Sequence, residues 1–413
     1  MNENLNKSAL FNGSCFALIT TAFTFSIRAG ILPQLGEAFN LKAEQLGFIN
    51  SMWFLGFPIA MIIGGLVYHT FGPKNIMLVA FVCHTIGILM TILAGGYTTL
   101  LISTLFIGVG NGCTEAACNP MIADMYSGTK MQKMLSRFHM WFPGGILVGS
   151  IISFFMTRAG LNWEAQMWVT MIPTITYAIL FFGKTFPKTE VAGAISLSEN
   201  FKAMLSPVYI FLFFCMALTA ISEFGPGQWV SVVLSNSGAE PMIILALTAG
   251  LMALGRFFAG PVVAKLGQTG VLLMGSILAT IGIYMFSSVT GPLAYVAAIV
   301  FAMGVCYFWP VMIGSVAHRV PRSSALGMSI VGGIGMFSTA IFQPIIGGWI
   351  DNARAINAAK GFEGAKLELA TGQHALLNMM TFPAILIVLF IIFFIWQKNA
   401  KKTTESEMTM AVH

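Results

Sequence analysis

Long apolar runs separated by short polar stretches make up most of the chain between residues 11 and 397. A helix needs about 20 mostly apolar residues to cross the hydrocarbon core of a bilayer. Twelve windows meet this length, at 11–35, 46–68, 75–95, 98–124, 135–157, 164–183, 206–235, 241–263, 270–289, 293–317, 325–350 and 375–397. The pattern predicts an all-α polytopic membrane protein with twelve transmembrane helices that is surrounded by a lipid bilayer.

A polar stretch and a repeat divide these helices into two groups. Residues 184–207, the longest internal polar stretch, follow the sixth window and predict a cytoplasmic linker. The prediction is an N-terminal six-helix bundle over 1–183 and a C-terminal bundle with a short cytoplasmic tail over 208–413. GLVYHTFG at 65–72 is answered by GPVVAKLG at 260–267, an offset of 195 residues. Repeated halves of this kind suggest two pseudo-symmetric bundles that rock around a central site.

The distribution of basic residues predicts the orientation of the chain. With both termini placed inside, the cytoplasmic segments hold 14 Lys and Arg residues and the external loops hold 5. Because positive charge favours cytoplasmic loops, we expect cytoplasmic N and C termini in a bacterial inner membrane. The net charge of +6 then reflects these loops, and no nucleic-acid partner is expected.

Composition and motifs exclude several classes of protein. The chain is 57% hydrophobic and only 9% charged, whereas soluble domains have about 25% charged residues. The sequence has no phosphate-binding glycine loop and no nucleophile paired with a base, and its six cysteines lie in apolar stretches without metal-ligand spacing. We therefore expect no enzymatic activity, no cofactor and no metal site.

Three charged residues lie in the middle of predicted spans: Arg28, Glu115 and Glu223. A charge at bilayer depth costs about 2.5–3.5 kcal/mol on insertion scales, so it usually faces a water-filled cavity or a partner. The three charges therefore indicate the polar pathway of a transporter. Applying the offset of 195 to Arg28 leads to Glu223, which predicts that the two lie across the cavity from each other and interact.

Polar side chains extend this pathway along the fourth predicted span. Asn111, Glu115 and Asn119 share one helix face because they are spaced four residues apart. They form either a cavity wall with a titratable carboxylate or a polar clamp between helices. Arg28, on the first span, either binds a substrate oxygen or anion or neutralises a glutamate.

The seventh predicted span combines an acid with helix-breaking residues. Glu223 precedes Gly-Pro-Gly, and Gln228 and Trp229 follow directly. We expect a broken helix that lines the cavity, since freed backbone groups at membrane depth need polar partners. Trp53 and Tyr307 are further candidates for stacking on a substrate. The residues assigned to gating or structure are Gly65, Gly72, Lys74, Asp124, Arg256 and His139.

The motifs resemble those of the major facilitator superfamily. The segment GGLVYHTFGPK is similar to the superfamily's loop signature between spans two and three, although His69 and Thr70 stand where Asp and Arg are usual. GNGCTEAACNP at 110–120 is most like the fucose/proton symporter family, as are ILPQL at 31–35 and GRFFAG at 255–260. The resemblance implies that Glu115 faces the central cavity and serves substrate binding and proton coupling.

One departure from that family leaves the substrate open. Ala29 stands where family members often have an Asp, and Arg28 precedes it, as in sugar-acid and organic-anion transporters of the superfamily. The leading hypothesis is proton-coupled or sodium-coupled uptake of a sugar by alternating access. The alternatives are uptake of a sugar acid or other organic anion through Arg28, or efflux of amphipathic compounds. The expected partners are a small-molecule substrate and a coupling cation.

Overall fold

The computed structural model of the chain describes residues 5–126, 128–187 and 197–411, and these fold almost entirely into helices. The helices, numbered in chain order, are α1 Lys7–Phe39, α2 Ala43–Ile92, α3 Tyr97–Met125, α4 Gly128–His139, α5 Trp141–Arg158, α6 Trp163–Phe181, α7 Leu197–Met204, α8 Pro207–Val233, α9 Pro241–Phe257, α10 Ala259–Ser288, α11 Leu293–Val305, α12 Phe308–Arg319, α13 Ser324–Ala359, α14 Gly364–Met379 and α15 Thr381–Ala411.

Two of these helices contain a glycine that divides them into separate spans. The 50 residues of α2 would extend for about 75 Å, whereas a bilayer core is about 30 Å thick. Gly72 interrupts α2 with a φ of 79°, and Gly267 interrupts α10 with a φ of 70°. A left-handed φ suits glycine, which has no Cβ to clash. The repeat seen in the sequence thus corresponds to the same backbone turn in both halves of the chain.

The helices account for all twelve predicted spans. Nine segments of the described chain are long and apolar enough to cross a membrane, and α2 supplies two spans. Two further spans complete the twelve: α6, the sixth in chain order, which packs against α1 and α2, and α9 with the first part of α10, the eighth. The pairs α11–α12 and α14–α15 each form one span. The predicted fold, two six-helix bundles of transmembrane helices, is confirmed. Of the predicted linker, residues 188–196 lie outside the described part, and α7 occupies its end.

The two ends of the molecule are called the terminal face and the distal face. The terminal face carries Lys7 and Met125, and the lysine Nζ donates to the Met125 carbonyl at 2.6 Å. The distal face, at the opposite end of α1, carries Phe39 and Ala43.

The halves of the protein meet along α1 and α8, α2 and α13, and α5 and α9. At the distal face the Ala43 and Glu44 amides, which begin α2, donate to the Asp351 carboxylate of α13 at 3.1 and 2.9 Å. A Cβ on Gly47 would lie 2.5 Å from the Gln343 carbonyl oxygen. Because the two backbones touch here, the structure is closed at the distal face.

Candidate substrate site

Arg28 lies at the boundary between the halves, with 5% of its surface exposed. Its Nη2 donates to the Gln228 side-chain oxygen at 3.0 Å, and Gln228 Nε2 donates in turn to the Phe25 carbonyl at 3.0 Å. The guanidinium lies over the Trp53 ring, 5.5 Å from its centroid. Nε and Nη1 have no hydrogen-bond partner among the described residues. Among the described residues, no carboxylate forms a salt bridge with Arg28 or supplies its counter-charge.

A hydrogen-bonded chain fixes the surroundings of Arg28. Trp53 Nε1 donates to the Thr24 hydroxyl at 3.1 Å, and Asn111 Nδ2 approaches the same hydroxyl at 3.5 Å. Asn111 Oδ1 lies 2.9 Å from His84 Nε2, and His84 Nδ1 lies 3.0 Å from the Tyr177 hydroxyl. A neutral imidazole with its proton on Nε2 satisfies every member, because Asn111 then accepts from His84 and His84 accepts from Tyr177.

These hydrogen bonds change the interpretation of two predicted site residues. Asn111 and Trp53 are almost completely buried, and both bond the Thr24 hydroxyl rather than presenting a free surface to a cavity; Trp53 also lies directly against the Arg28 guanidinium. His84 completes the chain and was missed by the sequence analysis. The signal was present, since His84 is a titratable side chain inside a predicted apolar span.

Arg256, a partly buried arginine, has a different partner. Arg256 Nη2 forms a salt bridge with Glu223 Oε1 at 3.2 Å, between α9 and α8. Arg256 Nε donates to the Cys306 carbonyl at 3.0 Å, and the Tyr307 hydroxyl donates to the Gly255 carbonyl at 2.9 Å. Both carbonyls lie next to helix ends at membrane depth, where backbone groups need new partners. Arg256 therefore supplies a hydrogen bond to the backbone at the interruption between α11 and α12, and Tyr307 does so near the interruption between α9 and α10.

A cavity lies beside this salt bridge, between the C-terminal bundle and helices α1 and α5. Its volume is about 50 Å³. Phe25, Phe142, Phe224 and Met252 line it, together with Glu223 and mostly aliphatic side chains. A second cavity, beside Arg28 and Thr24, measures about 10 Å³, which is room for about one water molecule.

The predicted direct pair between Arg28 and Glu223 is not formed in this structure. Arg28 bonds Gln228, five residues further along α8, and Glu223 bonds Arg256. Five residues correspond to about 7.5 Å along a helix, so an offset of 200, rather than 195, relates Arg28 to its partner. The two positions that the repeat relates, Arg28 and Glu223, are therefore not contact partners in this structure.

The predicted break in the seventh span is also wrong. α8 runs without interruption from Pro207 to Val233, with Pro226 inside it. A proline removes only its own N–H from the ladder, and neighbouring helices hold this segment in place. The prediction that this segment lines the cavity is correct for Pro226 and Gly227. Trp229, by contrast, is fully buried in the core and offers no face to a ligand.

Glu115 lies outside the residues that line these two cavities. It is half-buried, and its carboxylate accepts a hydrogen bond from Asn119 one turn further along α3. The polar face predicted from the spacing of Asn111, Glu115 and Asn119 thus divides in two. Its first member joins the chain to His84, and the other two bond to each other.

The residues assigned to gating occupy varied places. Arg256, which was assigned to gating or structure, lies in the cavity wall. Asp124 is exposed and accepts from the Tyr68 hydroxyl at 2.8 Å, within the N-terminal half. Lys74 and His139 are exposed at the terminal face. Gly65 has open space around its Cα and Gly72 makes the turn within α2.

These features define a class: a helical polytopic membrane protein whose two halves enclose charged side chains at membrane depth. The sequence profile of the Major Facilitator Superfamily matches residues 14–237, more than half of the chain. The chain belongs to the major facilitator superfamily, a family of membrane transporters rather than enzymes.

Individual relatives are more distant. The hexuronate transporter of Bacillus subtilis (strain 168) is 27% identical over 176 residues, which cover 42% of this chain and 41% of that protein. The 3-(3-hydroxy-phenyl)propionate transporter of Escherichia coli (strain K12) is 24% identical over 286 residues, or 64% of this chain and 67% of that one. The match thus spans less than half the length of the hexuronate transporter.

Solved structures share the fold at low sequence identity. The nucleoside transporter NupG has a TM-score of 0.73 at 12% identity, with coverage of 95% of this chain and 99% of that one. The D-xylose-proton symporter has a TM-score of 0.71 at 14% identity, with coverage of 90% and 97%. At these identities the comparison supports the fold alone.

Proposed function

We propose that this protein is a secondary active transporter that takes up a small organic carboxylate by alternating access. The bundles over 1–183 and 208–413 rock about the Arg28 and Glu223 region, and the substrate carboxylate binds Arg28. The observation that carries the proposal is the buried guanidinium of Arg28, which among the described residues bonds only the neutral amide of Gln228 and leaves two of its nitrogens without a partner. A buried charge without a counter-ion is costly, and a substrate anion would compensate it.

The geometry of guanidinium favours this substrate class over a neutral sugar. Its planar donors match both oxygens of a carboxylate, and such charge-assisted pairs are stronger than bonds to hydroxyls. The names of the hexuronate and 3-(3-hydroxy-phenyl)propionate transporters describe carboxylates, which agrees with the proposal. Cation-coupled uptake of a neutral sugar is the second candidate, which the similarity of GNGCTEAACNP at 110–120 to the fucose/proton symporter family favours.

The closed distal face gives this structure a place in the transport cycle. If the 14-to-5 bias of basic residues sets the topology, the terminal face is cytoplasmic and the distal face external. The structure is then a state closed to the outside. The Arg28–Gln228 bond joins α1 to α8, so it changes when the halves separate and would exchange with the substrate.

Coupling to a cation is assigned to the two membrane carboxylates, Glu115 and Glu223. Glu115 forms no salt bridge among the described residues, and Glu223 would lose its counter-charge if its bridge to Arg256 opened. A carboxylate at membrane depth without a counter-charge takes up a proton or a cation. We expect Glu115→Gln to abolish concentrative uptake while sparing binding or exchange, because the amide mimics the protonated acid. Proteoliposomes with an imposed pH gradient, and separately a sodium gradient, identify the coupling ion. Full concentrative uptake by this variant would show that Glu115 has only a packing role.

The substrate class is tested with matched pairs of an acid and its neutral analogue. Glucuronate with glucose, and 3-phenylpropionate with 3-phenylpropanol, are compared by thermal unfolding of the purified protein, since ligands that bind the folded state raise its melting temperature. We expect at least one acid, and neither neutral analogue, to stabilise the wild type. Arg28→Gln should lose this response, whereas the exposed Arg158→Gln should keep it. Equal stabilisation by glucose in wild type and Arg28→Gln would overturn the proposal.

A further inference from the structure

An aromatic cluster connects the two halves of the protein close to Arg28. The centroid of Phe25 on α1 lies 5.8 Å from Trp53, 6.2 Å from Phe142 and 5.9 Å from Phe224 of α8. Phe54 lies 5.9 Å from Phe224. The contacts of Phe224 with Phe25 and Phe54 cross the boundary between the halves, so they are lost when the halves separate.

Three of these rings, Phe25, Phe142 and Phe224, form a wall of the larger cavity. Among the described residues that line it, only Glu223, Thr248 and Arg256 have side chains that form strong hydrogen bonds. Glu223 and Arg256 already bond each other. A polyhydroxylated ligand would lose its hydrogen bonds to water here and gain few in return, which weakens binding. An aromatic ring has no such requirement and would contact the ring faces and edges.

The cluster also reaches the proposed carboxylate site. Trp53 lies under the Arg28 guanidinium on one side and meets the Phe25 ring on the other. The Phe25 carbonyl accepts from Gln228, which holds Arg28. Phe25 and Arg28 are separated by about one turn of α1, or about 5 Å along its axis. A ligand a few bonds long could therefore contact both groups.

We propose that the substrate is an aromatic carboxylate, whose ring lies among Phe25, Phe142 and Phe224 while its carboxylate binds Arg28. This inference rests on the proposed function and specifies the substrate class. In the present state the larger cavity measures about 50 Å³, against about 150 Å³ for an engineered core cavity that holds benzene. The ring therefore enters as the halves part, and it replaces the contacts that Phe224 then gives up.

The test compares three carboxylates by calorimetric titration of the purified full-length protein. The probes are 3-phenylpropionate, its saturated analogue 3-cyclohexylpropionate, and glucuronate. We expect 3-phenylpropionate to bind at least tenfold more tightly than glucuronate. Loss of one ring contact should weaken binding of 3-phenylpropionate to Phe224→Leu about three- to tenfold, while the saturated analogue changes less. Phe214→Leu, on an exposed part of the same helix, should leave all three affinities unchanged.

Phe142→Leu is the second variant if Phe224→Leu does not fold, and the same selective loss of 3-phenylpropionate is expected. Arg28-dependent binding of glucuronate, tighter than that of 3-phenylpropionate, would overturn the aromatic inference and leave the proposed function standing. Equal weakening of the aromatic and saturated probes would also overturn it, since Phe224 would then supply only apolar surface. Binding of glucose without any of the carboxylates would overturn the proposed function itself.

Discussion

The two arginines inside the membrane illustrate opposite solutions to the same problem. Arg256 is neutralised by Glu223 at 3.2 Å, and both belong to the C-terminal half, on α9 and α8. Arg28 lies in the N-terminal half, bonds the neutral Gln228 of the other half and retains unbonded N–H groups. The first arrangement can move as a unit when the halves rock. The second joins the two halves and must break when they separate, which is why the proposed function assigns the substrate to Arg28.

The largest expected effect concerns the salt bridge. Arg256→Gln leaves Glu223 as an uncompensated buried charge, which should lower the free energy of unfolding by about 3–5 kcal/mol. Arg256→Gln combined with Glu223→Gln should recover much of that loss, giving a strong non-additive term in a double-mutant cycle measured by thermal unfolding. The matching cycle between Arg28→Gln and Glu223→Gln should be close to additive. Strong coupling in this second cycle would restore the direct pair predicted from the sequence.

A smaller effect is expected at Arg28, and in binding rather than stability. Arg28→Lys should weaken carboxylate binding about 10- to 100-fold, because charge-assisted hydrogen bonds are worth about 1.5–3 kcal/mol and an ammonium cannot form the two-point contact. The melting temperature of Arg28→Lys without ligand should change little, since no carboxylate among the described residues forms a salt bridge with Arg28 that the variant could lose. Unchanged affinity in isothermal titration, with Arg158→Lys as the control, would remove Arg28 from the site.

Closure of the distal face can be tested at two adjacent glycines of α13. A Cβ on Gly347 would overlap the Ala43 carbonyl, whereas Gly348 has open space around it. Gly347→Ala should therefore open the distal face at a cost of about 1–3 kcal/mol to the closed state, and Gly348→Ala should have no effect. The measurement is alkylation, by a membrane-impermeant maleimide, of a cysteine introduced at Ala43, which is buried in the closed contact, as are all six native cysteines. Equal labelling of the two variants would contradict a role for this contact in closure.

The smallest expected effect is at the cap of α2. Asp351→Asn keeps an oxygen for the Ala43 amide but removes the acceptor of the Glu44 amide and the negative charge at the helix N-terminus. The lost charge is worth about 0.3–1 kcal/mol. Maleimide labelling of the same introduced cysteine should rise modestly, by less than in Gly347→Ala. Because Asp351 also lies 3.9 Å from Arg354, Arg354→Gln serves as a control that removes the neighbouring charge and keeps the cap. Labelling unchanged in Asp351→Asn but raised in Arg354→Gln would assign the effect to the Arg354–Glu368 pair.

Sequence reasoning succeeded where a local pattern is enough. The twelve spans follow from runs of apolar residues, and the turns at Gly72 and Gly267 follow from a repeated glycine motif. It failed where two helices had to be placed in depth against each other. The predicted partner of Arg28 was Glu223, whereas its partner in the structure is Gln228, five residues further along α8. A helix that is continuous was also predicted to break at Pro226.

By itself the sequence determined that this chain spans a membrane in two related halves and that Arg28, Glu115 and Glu223 are at bilayer depth. Those properties depend on composition and spacing, because lipid forces every backbone group into a helix. Only the tertiary structure decided that Glu223 pairs with Arg256, that Arg28 has no acidic partner in the described chain, and that His84 holds Asn111. Pairing depends on the rotation and relative depth of helices far apart in sequence, and packing sets both.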